Sequence, residues 1–140
     1  LPAGAEVGVD VCVFAAGDRL RGVKLLPPGL HLLVHGLASH ARLGEFFVVG
    51  GPGDPPLVRR WDAAQERLVP AAWGGGDPAE AAVRLDATLA PHAPEHARLW
   101  RALTCHVSPE ALESANVPVG TPVSPGDPDV APGGAGPRAL

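Results

Sequence analysis

The sequence has no isoleucine, methionine or tyrosine, and only two cysteines, three tryptophans and three phenylalanines in 140 residues. Two cysteines are too few for a disulfide framework, which excludes the disulfide-rich secreted scaffolds. No apolar run approaches the roughly 20 residues that cross a bilayer, so we expect no membrane-spanning helix. Lysine occurs once, at Lys24, and the net charge is −4. Without a basic surplus, direct binding to nucleic acid is not expected.

Glycine and proline are abundant instead, with 18 and 17 residues, a quarter of the chain. Alanine and arginine are also frequent, a skew typical of a GC-rich coding sequence, so valine and leucine are expected where isoleucine would otherwise occur. The chain begins at Leu1 rather than methionine. We therefore expect it to be a fragment of a longer protein.

The first 70 residues carry the pattern of short strands. Residues 7–14 alternate, with Val7, Val9, Val11 and Val13 on one face, which predicts one strand with a valine-rich buried side. The Pro-Pro-Gly triplet at 27–29 predicts a tight turn. Further strands are predicted over residues 19–26, 30–35, 45–49, 57–62 and 66–69. This spacing of about ten residues is typical of an antiparallel sandwich or barrel, so we predict a β-sandwich-like domain over 1–70.

The period changes from two to about 3.6 after a predicted linker at 71–77. A cap at Asp77 followed by proline predicts a helix over 78–90. A second helix is predicted from about 94 to 104, and a third from Ser108 to about 115. The predicted apolar faces are Ala82, Leu85 and Leu89 on the first helix, and His96, Leu99, Trp100 and Leu103 on the second.

Residues 116–140 contain eleven prolines and glycines and no aromatic residue. Such a segment buries too little to offset the entropy of ordering it, so we predict a disordered tail there. The fold class that follows is α+β: a small antiparallel β-sandwich-like N-terminal domain, a helical region over 78–115, and the tail.

Six histidines raise the possibility of a metal site. His31 and His35 are four residues apart, as are His92 and His96, but neither pair has the adjacent glutamate of a zinc-protease helix. A zinc site needs three or four converging ligands, which spacing alone does not supply. We predict no metal, no cofactor and no catalytic residue. A small metal-dependent hydrolase using His31 and His35 with a carboxylate remains an alternative.

Arginine and tryptophan offer candidate partner contacts, because these residue types anchor protein interfaces. Arg59 and Arg60 form a small basic patch, and Arg98 and Arg101 flank Trp100 on the second predicted helix. We expect a protein-binding role and no small-molecule substrate. A generic β-domain adaptor is the second alternative.

Five segments resemble the Aar-two family of splicing factors, in the same order and at similar spacing: residues 8–10, 21–33, 45–47, 58–64 and 100–104. The most specific is Lys-x-x-Pro-Pro-Gly-x-His, at Lys24 to His31. The family's tryptophan after the first of these segments is replaced by Phe14, and the family's helical domain would continue where the proline- and glycine-rich tail begins.

The resemblance implies a β-sandwich-like domain followed by helices. It implies a non-enzymatic pre-mRNA splicing factor that acts in assembly of the U5 small nuclear ribonucleoprotein by binding its large scaffold protein. It also implies a location in cytoplasm and nucleus.

Overall fold

A computed structural model of the chain describes residues 1–37, 41–74 and 76–124. Within them the chain forms eight strands, three α-helices and one turn of 3-10 helix at Asp86–Thr88. The strands are β1 Ala5–Val9, β2 Cys12–Ala15, β3 Gly22–Lys24, β4 Gly29–Leu37, β5 Leu43–Val49, β6 Arg59–Asp62, β7 Arg67–Pro70 and β8 Leu89–Pro91. The helices are α1 Pro78–Leu85, α2 Pro94–Thr104 and α3 Pro109–Ser114. The predicted α+β class is confirmed.

The main sheet has four antiparallel strands in the order β2-β1-β4-β5. Val9 lies opposite Leu33, and Phe47 lies opposite His31. Because directly opposed residues share a face of a sheet, these registers place Val9, Leu33 and Phe47 together, and they form the buried core cluster. The same face also carries polar side chains at His31, His35 and Glu45, all of them buried.

The β6–β7 hairpin packs across this face. Leu68 of β7 contacts the core cluster, and its backbone N–H donates to His35 of β4. The hairpin turn is closed by Asp62, whose side chain accepts hydrogen bonds from the backbone of Ala64 and Gln65. The result is a second layer over the sheet, which gives the predicted sandwich-like arrangement.

The prediction of a single strand over 7–14 is wrong, because the chain reverses at Asp10 and Val11. Val9 pairs with Cys12 across this two-residue turn, and Asp10 takes a left-handed backbone with φ 57°, which aspartate tolerates better than most residues. Because the turn has two residues, odd-numbered residues face the core before it and even-numbered residues share that face after it. Val13 is therefore 53% exposed, although Val7 and Val9 face inward.

The strand predicted over 19–26 is short, and the helix predicted over 78–90 ends early. Only β3 within 19–26 is a strand, and it pairs in parallel with β8. Helix α1 stops at Leu85, so Leu89 lies in β8 and not on a helix face. The buried residue of α1 is Ala81, whereas Ala82 is exposed. The parallel pairing of β8 overrides the local helical pattern, because it satisfies backbone groups of both strands.

Helices α2 and α3 occupy the predicted segments. Ser108 caps α3 by accepting a 3.1 Å hydrogen bond from the backbone N–H of Ala111. The predicted apolar stripe of α2 is partly wrong. Trp100 faces the sheet, but Leu99 and Leu103 are 50% and 62% exposed. No helix of the described residues is long and apolar enough to span a bilayer.

Residues 117–123, which we call the edge segment, lie along β5. Val123 and Gly44 exchange two backbone hydrogen bonds of 2.7 Å, and the Gly120 N–H donates to the Phe46 carbonyl. The prediction that the chain is disordered from residue 116 is therefore wrong for this segment. The rest of the predicted tail, 125–140, lies outside the described residues. The division into domains at 71–77 stays a prediction.

Candidate functional site

A buried polar cluster joins the β1–β2 turn to β4. The side chain of Asp10 is fully buried, and its Oδ1 accepts a 2.9 Å hydrogen bond from the backbone N–H of Leu32. The backbone N–H of Asp10 donates in turn to the Leu32 carbonyl at 2.8 Å. The other carboxylate oxygen, Oδ2, lies 2.7 Å from Nδ1 of His31. We call Asp10, His31, His92 and His96 the Asp10 cluster.

The contacts of His31 favour a ring that is protonated on both nitrogens. Its Nε2 lies 2.7 Å from the carbonyl oxygen of Pro27, and a carbonyl can only accept. Its Nδ1 faces the carboxylate of Asp10. Burial disfavours the charge, but the hydrogen bonds to Asp10 and Pro27 outweigh burial and raise the pKa of His31 above its ordinary 6.5. The pair is a buried salt bridge in which neither nitrogen of His31 is free for a metal or a substrate proton.

His92 and His96 extend the Asp10 cluster to α2. His92 is held at the end of β8 by a 2.9 Å hydrogen bond from its backbone N–H to the Lys24 carbonyl. Its side chain is fully buried, with Nε2 3.2 Å from Oδ2 of Asp10. The His92 ring meets those of His31 and His96 edge-on, with centroids 6.2 and 6.4 Å apart. Within 1–37, 41–74 and 76–124, no three His, Cys, Asp or Glu side chains are arranged to hold a metal ion.

His35 lies in a different environment from His31. Its Nε2 accepts a 3.0 Å hydrogen bond from the backbone N–H of Leu68, so the ring is neutral. Burial lowers the pKa of His35 below 6.5; the nearby charge of Glu45 opposes this shift, and that of Arg67 adds to it. The two histidines of the hydrolase alternative therefore serve separate contacts.

Two of the predicted partner contacts turn inward. Arg59 forms a buried salt bridge with Glu45 of β5, with its Nε 3.0 Å from Oε1. Trp100 donates a 2.8 Å hydrogen bond from Nε1 to the Leu30 carbonyl. Arg59 thus ties the β6–β7 hairpin to the sheet, and Trp100 ties α2 to β4.

The other three predicted contacts, Arg60, Arg98 and Arg101, are exposed. Arg98 and Arg101 line one groove together, beside α2, with a volume of about 560 Å³. We call it the Leu25 groove. Its lining is mostly apolar and includes Leu25, Pro27, Pro91, Ala93, Pro94 and Ala97, together with His92 and, as the one carboxylate among the described residues, Glu95.

Leu25 has an unusual conformation at the rim of this groove. Its φ is 65°, a left-handed conformation that costs a non-glycine residue about 1–2 kcal/mol. Its side chain is nevertheless 72% exposed. The chain is fixed on both sides of it, by the pairing of β3 with β8 and by the turn at Pro27. Backbone strain therefore presents a large apolar side chain to solvent.

Sequence reasoning missed two of these features. Asp10 lies within the predicted strand 7–14, and its only distinguishing signal is its place in the segment at 8–10 that resembles a known family. Leu25 carried no signal, because an apolar residue within a predicted strand is expected to be buried. Both depend on long-range contacts, which bring Asp10 to His31 and His92 and Leu25 to the same groove as His92.

These features define a small α+β domain whose polar centre is internal and whose exposed arginines border an apolar groove. Residues 1–117 match the family described as the AAR2 N-terminal domain. The chain therefore belongs to the AAR2 family, the Aar-two family of the sequence resemblance.

Individual relatives agree with this assignment. The chain is 32% identical to the mouse protein AAR2 homolog over 123 residues, which cover 81% of this chain and 32% of the relative. Over 117 residues it is 28% identical to the Caenorhabditis elegans homolog, covering 80% of this chain and 32% of the relative. The human homolog is 30% identical over 123 residues, with the same coverage as the mouse protein. The chain spans about a third of the length of these relatives.

Proposed function

We propose that this chain is the N-terminal part of a non-enzymatic pre-mRNA splicing factor. In this proposal the factor acts in assembly of the U5 small nuclear ribonucleoprotein by binding its large scaffold protein. The match of residues 1–117 to the AAR2 N-terminal domain carries the proposal. The relatives are named only as AAR2 homologs, so the activity itself is the proposed step.

The contacts of His31 and of His35 Nε2 are those of structural residues. A general acid or base needs a ring nitrogen within reach of a substrate. Both nitrogens of His31 are engaged by Asp10 and Pro27, and Nε2 of His35 is engaged by Leu68. These groups hold the fold together, which fits a protein that acts by occupying a partner's surface.

Affinity capture tests the proposal directly. The complete gene product, tagged and expressed in cells, is expected to recover the large U5 scaffold protein from both cytoplasmic and nuclear extract. A tagged β-sandwich protein of similar size and charge is the control. Failure to recover the scaffold protein above that control would overturn the proposed partner. Recovery from one compartment only would correct the proposed localisation.

Metal analysis separates this proposal from the hydrolase alternative. Protein purified without chelators is expected to contain far less than one metal ion per chain. Stoichiometric zinc that is lost in His31→Asn and His35→Asn variants, and kept in a variant of the exposed His106, would favour the hydrolase.

A further inference from the structure

We infer that the Leu25 groove is a docking site for an extended acidic and apolar segment of a protein partner. The inference rests on the proposed function, because it assigns the surface by which such a factor would hold its partner. It takes two of the predicted contact residues, Arg98 and Arg101, and adds Leu25, which sequence reasoning did not single out.

The charge of the groove indicates that the bound segment is acidic. The whole chain carries −4, yet this surface holds two arginines against one glutamate, Glu95. Among the residues that the structure describes, the salt bridges involve neither Arg98 nor Arg101. Guanidinium groups bind carboxylates in bidentate geometry. A local basic surface on an acidic chain therefore favours an acidic segment and steers its approach.

The apolar lining indicates that the bound segment also carries apolar side chains. Much of the remaining lining, which we call the groove floor, comes from prolines and alanines, among them Pro27, Pro91, Pro94 and Ala97. Proline offers no backbone N–H, so this floor provides few donors and favours apolar side chains. A volume of about 560 Å³ accommodates a few side chains rather than a helix of several turns.

The conformation and exposure of Leu25 independently support a binding site here. In the isolated chain Leu25 carries two free-energy costs. Its backbone is left-handed, and its apolar side chain is largely exposed to water. Such strain concentrates at binding sites, where the surroundings hold it. In the groove the side chain would be covered by the bound segment, which would recover the apolar burial that it lacks in the free protein.

A short fluorescein-labelled peptide of alternating leucine and glutamate is the probe, measured by fluorescence anisotropy with the full 140-residue chain. The unmodified chain is expected to bind it, and more weakly as salt rises. Arg98→Glu with Arg101→Glu should weaken binding at least about tenfold and should create affinity for the matching leucine–lysine peptide. Arg84→Glu, an exposed arginine of α1 outside the groove, is the matched control and should change little.

Leu25→Asn separates docking from folding. Asparagine tolerates a left-handed backbone better than leucine, so the thermal midpoint should stay the same or rise. Binding of the acidic peptide should nevertheless weaken about tenfold, because an apolar contact is lost. If Leu25 had only a structural role, Leu25→Asn would change the thermal midpoint and the peptide affinity in the same direction. That result, or no binding by the unmodified chain, would overturn the inference.

Other occupants are distinguished by the charge-reversed variant, by one further variant and by a second ligand. If the unmodified chain sediments as a dimer and the charge-reversed chain as a monomer, a second copy occupies the groove. If Asp127→Asn with Asp129→Asn strengthens peptide binding, the chain's own acidic segment occupies it. If single-stranded RNA binds with the same arginine dependence, the ligand is nucleic acid. Each of these results would overturn the inference.

The proposed function and the proposed docking site can be contradicted independently of each other. If the complete gene product recovers its scaffold partner equally well with and without the Arg98, Arg101 and Leu25 substitutions, the function stands and the groove is wrong. If the partner is not recovered but the peptide binds with the stated dependence, the groove stands without the proposed partner.

Discussion

Asp10 combines a turn conformation with a buried charge. Its left-handed backbone, φ 57°, alone would favour glycine or asparagine. Its carboxylate, however, accepts from the Leu32 N–H and faces His31. Removing one partner of a buried pair costs about 3–5 kcal/mol, because the other charge is left without a partner. The residue is therefore required for the contacts of its side chain, and glycine would not replace it.

The charged state of His31 predicts a loss of stability at alkaline pH. The pKa of His31 is raised in the folded protein above 6.5. Below that pH both states are protonated and the ion pair contributes fully; as the pH rises, the unfolded chain loses its proton first, so the contribution declines through the folded pKa. Urea unfolding from about pH 6 to about pH 9 should show a falling free energy of unfolding.

His31→Asn should flatten this alkaline decline, and His106→Asn, at an exposed position, should leave it unchanged. If His31→Asn does not fold, Asp10→Asn removes the partner charge and serves the same purpose. An equal alkaline slope in the unmodified chain and either variant would mean that His31 is not the charged partner of Asp10.

His35 predicts the opposite dependence at acid pH. Its pKa is lowered in the folded protein, so the unfolded chain binds a proton more readily. Stability should therefore decrease as pH falls from about 6.5 through the lowered folded pKa. Protonation also removes the acceptor that Leu68 uses. Nuclear magnetic resonance titration of the ring protons checks this directly; a His35 pKa above 6.5 would contradict it.

At the scale of elements, Trp100 links α2 to the sheet by a directed contact. Trp100→Phe keeps an aromatic ring but removes the Nε1 donor to the Leu30 carbonyl. We expect a loss of about 1–2 kcal/mol, as for an unsatisfied acceptor in a partly buried site. Hydrogen exchange should speed up in α2 and at the start of β4.

Trp73→Phe is the matched control, since Trp73 Nε1 donates only to the nearby Gly76 carbonyl in an exposed position. It should lose a few tenths of a kcal/mol at most. Equal losses in the two variants would show that the ring, and not the hydrogen bond to Leu30, positions α2.

At the scale of the whole molecule, the edge segment closes one side of the sheet. It makes two hydrogen bonds through Val123 to Gly44 and one through Gly120 to Phe46, and Pro118 and Pro122 have no N–H to offer a further strand. Unpaired sheet edges pair readily with other chains. We therefore expect the edge segment to protect β5 from association.

Val123→Pro should expose this edge, because it removes the N–H that Gly44 accepts. We expect a loss of about 1 kcal/mol in stability and self-association at high protein concentration, measured by sedimentation velocity. Val123→Ala keeps the N–H and should remain as monomeric as the unmodified chain. Association of both variants to the same extent would show that the side chain, and not the strand pairing, protects the edge.

The sequence by itself determined the features that depend on neighbours in the chain. These are the run of short strands before the first helix, the turn at Pro27, the caps at Asp77 and Ser108, and the family resemblance at 21–33. Such signals are local, because backbone angles and capping bonds involve residues a few positions apart. The prediction of one strand over 7–14 failed because the alternation of valines continues through the two-residue turn. A local pattern therefore gave no sign that the chain reverses there.

Only the tertiary structure decided which side chains meet. The pairing of β8 with β3 ended α1 at Leu85 and carried His92 to Asp10, 82 positions away in sequence. The tertiary structure also placed Arg98 and Arg101 with Leu25 around one groove, and it turned Arg59 and Trp100 inward. Contacts of this range are fixed by burial and by backbone hydrogen bonds between distant strands, for which no local pattern carries information.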